Sequence, residues 1–357
     1  MTTTLVHPLP LGRADGELPL GRVDGELPLG RAHVTSWRER GSVLVDGLLP
    51  DDLVAAVAEM AAAAFPVPAD VDLAMPADFG SGGRFVFPSD APAVNTLTLH
   101  PRLLGAVAQL LGTPVSDLRL TQSDLWVKYG RTARSGDPVD NDDQRMHVDY
   151  PNHTLTHPPP WDSPDAVEMI VYLSDARDCG GATRVVPRRG PDDPAYRWPI
   201  VDTPGVAGHE WVNDRGTAEA GLALRAPDVA AFRAEHLYAR EEEVVFRQGT
   251  VLLYRHDTWH RGTPLHAGAR RMVMNLTFRR AASEWISTLH EGWAWSMYRR
   301  TGAMERLIIE SSVEQRAVLG FPPPGHPCWT APLVDAVRAR YPGIDLSEYV
   351  APGQPAS

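Results

Sequence analysis

The feature that most constrains the fold is a succession of short β-like runs between about residues 118 and 282. Runs rich in Val, Leu, Thr and aromatic residues alternate with turn residues, which is typical of a β-barrel or β-sandwich. We therefore predict a β body built from strands of five to eight residues. The runs are LRLTQSDLWVKYG, AVEMIVYLSD, GGATRVVP, VVFRQGTVLLYR and RRMVMNLTFRR.

Helical patterns flank this β body on both sides. Residues 50–65 begin with acidic residues and carry apolar residues on one side, and residues 100–112 end at a glycine that is followed by a proline. After residue 282 three further amphipathic segments follow, and they either pack on the β body or help to form a homodimer. The segments are EWISTLHEGWAWSMYRR, SSVEQRAVLG with a capping box from Ser312 to Gln315, and APLVDAVRARYPG.

The chain divides into three parts. Residues 1–33 contain three near-copies of a nine-residue unit, LPLGRADGE, LPLGRVDGE and LPLGRAHVT, and they predict a flexible arm because such short units cannot form solenoid modules. Residues 34–282 form the β domain. Within it, residues 188–243 are an insertion with one helix, PDVAAFRAEHLYAR, that serves as a lid or as decoration. Residues 283–357 are a helical extension packed on the same domain.

Composition narrows the class of partner. With 34 basic and 45 acidic residues the net charge is −11, which argues against nucleic acid or an anionic membrane as partner. Cys179 and Cys328 are too few for a disulfide framework. No signal peptide or long apolar segment is evident, so we expect a cytoplasmic protein that acts on a small molecule.

Three separate motifs suggest metal chemistry. In RMHVDY the side chains of His147 and Asp149 leave one face of an extended segment, as a metal-binding pair would. In GTVLLYRHDTWHRGTP an apolar strand runs into His260 and stops at Gly262. Two histidines and one carboxylate leave open coordination positions and suit iron(II).

The third motif, GARRMVMNLTF, places two arginines 10 and 11 residues after His260. A guanidinium that points into a barrel can bind the far carboxylate of 2-oxoglutarate in a bidentate manner. Strand alternation allows only one of Arg270 and Arg271 to point inward.

Taken together, the order and spacing of these motifs resemble the phytanoyl-CoA dioxygenase family of iron(II)- and 2-oxoglutarate-dependent oxygenases. The similarity covers about residues 40–282 and includes Val127-Lys128, His147-Val148-Asp149, the strand VYLSDA and the run GGATRVVP. It implies a double-stranded β-helix (jelly-roll) barrel, a mainly β fold with flanking helices of the α+β class. One departure is Arg188-Arg189-Gly190, where the family commonly has a Gly-Ser-His turn.

The resemblance also implies roles for individual residues. His147, Asp149 and His260 would be the catalytic iron ligands, and Arg271, which lies at the family's usual spacing, would bind 2-oxoglutarate with Arg270 as the fallback. Iron(II), 2-oxoglutarate and O2 are thus the expected cofactor and cosubstrates, and the reaction is hydroxylation or a related oxidation of a C–H bond with release of succinate and CO2. The carboxylate of Asp149 favours this outcome over chlorination, which needs a small residue there. Further cosubstrate contacts are expected from Gln122, Trp126 and Lys128.

Substrate contacts are expected near the metal pair. Arg145 and Tyr150 flank it, with Asn152 and His153 just beyond, and Glu168 faces the cavity from the next strand. No basic cradle for a coenzyme A thioester is evident, so the family's namesake substrate is not transferred.

Other classes of protein remain open from the sequence. The same barrel could serve a cupin-like metal isomerase or a binding module without catalysis. His256 and His260 have the i, i+4 spacing of a zinc hydrolase motif, but that motif requires a helix and a glutamate.

Overall fold

The β body and its flanking helices are present as the sequence predicts. This computed structural model describes residues 27–67, 85, 87–130, 142–150, 159–197, 200, 212–283, 303–326, 329, 331, 334, 337–338 and 341–350. The helices are α1 (Arg31–Arg40), α2 (Asp51–Ala64), α3 (Pro92–Thr98), α4 (Pro101–Leu111), α5 (Ala176–Cys179), α6 (Arg215–Arg225), α7 (Pro227–His236), α8 (Ala303–Glu310) and α9 (Val313–Val318). The strands are β1 (Ser42–Val45), β2 (Leu118–Tyr129), β3 (Ala166–Tyr172), β4 (Thr183–Val185), β5 (Glu242–Glu243), β6 (Val251–Tyr254), β7 (His260–Gly262) and β8 (Arg270–Arg280).

Two antiparallel sheets make up the body. The larger has the order β1-β6-β3-β8-β2, and the smaller has the order β5-β4-β7. Isolated bridges from Gln144 to Asp214 and from His147 to His260 extend the smaller sheet. The side chains of β3, β6 and β8 meet those of the smaller sheet in one apolar cluster, so the sheets pack face to face. This arrangement confirms the predicted jelly-roll fold.

Alternation along the strands of the larger sheet separates two environments. Val167, Met169 and Leu253 face outward and join the main core under the helices, whereas Tyr172 and Val273 face the smaller sheet. Because successive side chains leave opposite faces of a strand, polar residues in alternate positions also point into the space between the sheets. This inner face carries the chemistry described below.

The folded body begins earlier than the arm boundary at residue 33. Leu29 is 1 % exposed, and its backbone exchanges two hydrogen bonds with the Gln109 side chain, at 3.0 and 2.7 Å. Helix α1 then starts at Arg31. The third copy of the repeat is therefore part of the fold, because its leucine fills a site on α4 that repetition alone does not reveal. Residues 1–26, with the other two copies, lie outside the described residues.

The segment that leads into His260 differs from the single strand that its sequence suggests. Strand β6 ends at Tyr254, and β7 begins at His260 in the other sheet. The connecting turn is held by hydrogen bonds from Arg255 to the Asp257 carboxylate and from the Thr258 hydroxyl to the Gly41 carbonyl. Residues 255–259 are buried although four of the five are polar, so the crossing is not an exposed loop of the kind that a polar run usually predicts.

Several helices were not expected from the pattern. The insertion contains two helices, α6 and α7, rather than one, and α1, α3 and α8 are additional. The capping box at α9 is confirmed: the Ser312 hydroxyl accepts from the Gln315 backbone, and the Gln315 side chain accepts from the Ser312 backbone. Residues 284–300, where a helix was predicted, lie outside the described residues, as does much of the last predicted helix. Within the described part, none of the helices has the length and apolarity needed to span a bilayer.

The central position of β6 gives a stability prediction. Leu253 is fully buried between β1 and β3, so Leu253→Ala should lower the free energy of unfolding by about 2–5 kcal/mol because a cavity is left. As control, Leu224→Ala, at a site that is 87 % exposed, should change it by less than about 0.5 kcal/mol. Urea denaturation measures both variants, and equal effects would show that β6 is not in the core.

Candidate metal and cosubstrate site

A pair of backbone hydrogen bonds brings the two histidines of the predicted triad together. The His147 amide donates to the His260 carbonyl and the His260 amide donates to the His147 carbonyl, both at 2.9 Å. Residues paired in this way across an antiparallel ladder direct their side chains to one face. The ring centroids of His147 and His260 are consequently 4.3 Å apart.

Asp149 completes the group. Its Oδ1 lies 3.5 Å from His147 Nε2, and its Oδ2 lies 3.2 Å from His260 Nε2. One atom from each of the three residues can be chosen so that all lie within 4.8 Å of one another, and no other cluster of this kind occurs among the described residues. Two imidazoles and a carboxylate on one side could hold a divalent metal and leave its other positions open.

Backbone carbonyls fix the orientation of the imidazole rings of His147 and His260. His147 Nδ1 lies 3.1 Å from the Arg145 carbonyl, and His260 Nδ1 lies 3.0 Å from the Thr258 carbonyl. Since a carbonyl only accepts, each Nδ1 carries a proton, so Nε2 is the ring nitrogen of each histidine that faces Asp149. Burial alone would lower the pKa of His260, but the charge of Asp149 and its hydrogen bond raise it, so a metal replaces a proton at this Nε2. With the proton on Nδ1 alone, the Nε2 lone pair is free to bind the metal. This is the tautomer that a metal requires.

The electrostatics of the triad favour a cation. Burial, assisted by His260, lowers the pKa of His147 to about 3, so its ring is neutral near pH 7. Burial alone would raise the pKa of Asp149, but His260 and His147 hold it well below its usual range. The donor set therefore contains a carboxylate and a neutral imidazole before any metal binds.

Tyr254 and Glu168 support Asp149 from the larger sheet. The Tyr254 hydroxyl donates to Asp149 Oδ2 at 3.0 Å. Glu168 lies opposite Tyr254 in the ladder, and burial together with the charge of Asp149 raises its pKa well above the usual value. No sequence motif marks Tyr254 as a partner of Asp149, although alternation along VLLY places it on the inner face with Leu252.

The two neighbouring arginines on β8 point in opposite directions. Arg270 donates from Nη1 to the carbonyls of Ala62 and Phe65 beside α2, on the outer face. Arg271 lies on the inner face, where its Nη1 donates to the Gly181 carbonyl. Its Nε is buried without a hydrogen-bond partner in the described part of the chain. This geometry favours Arg271 over Arg270 as an anion-binding residue.

Lys128 lies directly opposite Arg271 in the ladder between β2 and β8. Its ammonium donates to the carbonyls of Asp142 and Thr263 at 2.6 and 2.8 Å. Burial first, and then the charge of Arg271, lowers the pKa of Lys128 to about 7. Two cationic side chains thus share one buried corner, where an anion would relieve their repulsion.

The other predicted cosubstrate residues spread along the same strand. Trp126 packs with the apolar cluster between the sheets, one inward position from Lys128. Gln122 lies farther along, in the row of Glu168, where it donates to Asp124 and accepts from Thr277. Gln122 therefore lies at the opposite end of the inner face from Arg271.

A close approach explains the glycine two residues after His260. The Gly262 amide donates to the Gln144 side chain at 2.9 Å, and a Cβ at this glycine would lie 2.7 Å from the same Gln144 oxygen. It would also lie 3.8 Å from Nη2 of Arg271. Glycine at this position thus lets Arg271 and Gln144 reach the backbone beside the triad.

The predicted substrate residues have different environments. Arg145 is buried, and burial, assisted by Arg233, lowers its pKa to about 10. Tyr150 donates to the Ile200 carbonyl at 2.5 Å and belongs to an apolar cluster, which gives it a packing role. Asn152 and His153 lie outside the described residues.

The zinc hydrolase hypothesis fails on geometry. Residues 255–259 form a turn rather than a helix, so the i, i+4 spacing does not bring His256 to the side of His260. Nε2 of His256 instead lies 3.8 Å from Asp165.

The jelly-roll barrel with a two-histidine, one-carboxylate group defines a class of metal-binding β-barrel proteins. A sequence profile of the phytanoyl-CoA dioxygenase family matches residues 37–273, and the chain belongs to this family. Membership confirms the predicted type of enzyme, an iron- and 2-oxoglutarate-dependent oxygenase. A comparison with curated proteins gave no match.

Solved structures that are similar to this chain include two proteins from nogalamycin biosynthesis and EctD. The carbocyclase SnoK from nogalamycin biosynthesis is 18 % identical, with 75 % of this chain and 90 % of that chain covered and a TM-score of 0.47. The epimerase SnoN from the same biosynthesis is 20 % identical over 70 % of this chain and 83 % of that chain, with a TM-score of 0.44. EctD from S. alaskensis is 16 % identical, with 77 % of this chain and 86 % of that chain covered and a TM-score of 0.47.

The support of Asp149 by Tyr254 can be tested with a metal probe. Tyr254→Phe removes the hydrogen bond to Oδ2, so the affinity for cobalt(II) should fall by about 10- to 100-fold. Tyr172→Phe is the matched control, because that hydroxyl donates to Thr183 instead. Titration followed by the visible cobalt spectrum measures both, and an equal loss in the two variants would contradict the positioning role.

Proposed function

We propose that this chain hydroxylates, or otherwise oxidises, an unactivated C–H bond of a small-molecule metabolite, with iron held by His147, Asp149 and His260. The observation that carries the proposal is the convergence of these three donors within 4.8 Å. The donor set fits iron(II), since nitrogen and oxygen ligands on one face leave positions for a chelating cosubstrate and for O2. When bound, the metal supplies the oxidation, which consumes 2-oxoglutarate and O2 and releases succinate and CO2.

Arg271 and Lys128 are proposed to bind the distal carboxylate of 2-oxoglutarate. The unpaired Nε of Arg271 supports this role, because a buried guanidinium is costly unless an acceptor satisfies it. Lys128 already donates to two carbonyls, so it contributes its charge and a third donor. Trp126 would exclude water from this corner.

Asp149 and its supports are proposed to decide the type of reaction. Tyr254 holds one carboxylate oxygen of Asp149, so this ligand is fixed in the group. A carboxylate here leaves no position for a halide, which favours oxidation over chlorination. Arg145 and Glu168 border the triad and remain the proposed substrate contacts, and Asn152 and His153 remain predictions.

The central test is turnover of 2-oxoglutarate. Succinate should form only when iron(II), 2-oxoglutarate and O2 are all present, and Asp149→Ala should reduce its formation at least about 100-fold because a ligand is lost. Turnover can be measured without the substrate as slow uncoupled succinate release. Activity that persists without 2-oxoglutarate would favour a cupin-like isomerase, and no turnover with intact metal binding would favour a binding barrel.

Two matched variants test whether Arg271, rather than Arg270, binds 2-oxoglutarate. Arg271→Met should raise the Kd for 2-oxoglutarate at least about 10-fold, because a charge-assisted pair is lost. Arg270→Met should change it less than about 2-fold, since Arg270 bonds the backbone beside α2 on the outer face. Titration of the manganese(II)-loaded protein measures both constants, and a larger effect of Arg270→Met would reverse the assignment.

A further inference from the structure

A second inner-face arginine, Arg279, lies at the far end of β8 from Arg271. Its side chain is 0 % exposed, and it lies opposite Ala166 in the ladder. All three of its guanidinium nitrogens are buried without a hydrogen-bond partner in the described structure. The nearest carboxylate oxygen is Oδ2 of Asp165, at 3.6 Å from Nη1.

Arg233 shows how this chain normally buries a guanidinium. It is also 0 % exposed, but its Nε and Nη2 donate to Glu219 at 2.7–3.2 Å and its Nη2 donates to the Met146 carbonyl at 2.9 Å. A buried charge without such bonds costs stability. Arg279 has only an ion pair at 3.6 Å in place of such bonds, so it stabilises the ligand-free protein less than Arg233 does, and its presence suggests a reason other than folding.

The hydrogen bonding of the Asp165 carboxylate is also incomplete. Among the described residues its Oδ1 has no hydrogen-bond partner, and His256 Nε2 lies 3.8 Å from it. The nearby Arg255 is already paired with Asp257 at 2.8 and 3.0 Å, so it does not satisfy Asp165. Asp165 and Arg279 thus form a loose pair in which both members retain unused hydrogen-bonding capacity.

The distance between Arg279 and Asp165 indicates which chemical group could bind to both. An oxygen atom can lie about 2.9 Å from a nitrogen and about 2.7 Å from an oxygen when those two atoms are 3.6 Å apart. A hydroxyl placed there accepts from Arg279 and donates to Asp165, which satisfies both. A carboxylate cannot donate to Asp165, and an ammonium cannot accept from Arg279.

This pair is connected to the proposed metal site. Glu168 interacts electrostatically with Arg279 and is hydrogen-bonded to Asp149, so one side chain separates the pair from a proposed iron ligand. Thr277, two residues before Arg279 on the same face, is hydrogen-bonded to Gln122. The wall between Arg279 and the triad is therefore polar, and its side chains are hydrogen-bonded to one another or to Asp149.

We propose that Arg279 and Asp165 bind a hydroxyl group of the substrate, which places the substrate in the class of hydroxylated compounds. The inference rests on the proposed function, since it takes the space beside the triad as the substrate site. Long apolar acyl chains are excluded from this end of the barrel, because they would leave both charges unsatisfied.

The first part of the test compares the stabilities of two variants without metal or cosubstrate. Arg279→Met combined with Asp165→Asn should leave the melting temperature of the metal-free protein unchanged or higher, because it removes both charges of the loose pair. Arg233→Met combined with Glu219→Gln, the matched control, should lower it by several degrees because the close hydrogen bonds of that pair are lost. A comparable fall for both variants would show that Arg279 is a structural residue and would overturn the proposal.

The second part measures binding of four-carbon probes to the metal-free protein by ligand-observed NMR. Erythritol should give a binding signal that falls at least 5-fold in Arg279→Met and in Asp165→Asn, whereas butanoate, butylammonium and butanamide should give weaker signals. A preference for any of those three probes overturns the hydroxyl assignment. An absent erythritol signal, as expected if a permanently bound water fills the gap, overturns the proposal as well.

These experiments use neither iron nor 2-oxoglutarate, so their failure leaves the proposed oxygenase function intact. Conversely, a protein that binds erythritol through Arg279 but does not bind iron contradicts the proposed function alone.

Discussion

The reciprocal hydrogen bonds between His147 and His260 join two segments that are far apart in the chain, and the site depends on this contact. One segment follows β2, and the other follows the crossing from the larger to the smaller sheet. The pairing sets the separation of the two rings, and the carbonyls of Arg145 and Thr258 set their tautomers. Asp149 then needs only the two-residue spacing from His147 to reach both Nε2 atoms. The metal-binding geometry is thus a property of strand register, which the buried cores on both sides of the sheets maintain.

Buried charge is concentrated on the inner face of the barrel. Arg271 and Lys128 share one end, Arg279 lies at the other, and the triad lies between the two sheets. Burial lowers the pKa of Lys128, Arg271 and Arg279. Nitrogens of both arginines also have no acceptor among the described residues, so these cations are costly in the ligand-free protein. The outer face, which packs under the helices, is almost wholly apolar. Apolar packing on the outer face of the larger sheet therefore stabilises the fold, whereas the inner face carries buried polar groups whose hydrogen bonding is incomplete.

Much of the fold and of the candidate site could be predicted from the sequence, because the informative residues are close together in the chain or follow the alternation of a β-strand. His147 and Asp149 are recognised by their two-residue spacing, and the cap at Ser312 is a contiguous motif. Strand alternation allows only one of Arg270 and Arg271 to point inward, and the family's usual spacing from His260 selects Arg271. What could not be predicted depends on contacts between distant segments. The crossing between Tyr254 and His260 uses polar residues that are buried in the folded chain, and the burial of Leu29 involves its contact with Gln109. Tyr254 and Arg279 carry no motif, and only the assembled sheet shows which groups they face.

The account is tested most directly by a crystal structure of the protein with manganese(II), an inert substitute for iron(II), and 2-oxoglutarate. It predicts one metal bound by Nε2 of His147, Nε2 of His260 and a carboxylate oxygen of Asp149, each at about 2.1 Å, with the cosubstrate's far carboxylate against Arg271. A metal bound instead at His256 and Asp165, or a cosubstrate whose carboxylate lies away from Arg271, would contradict it.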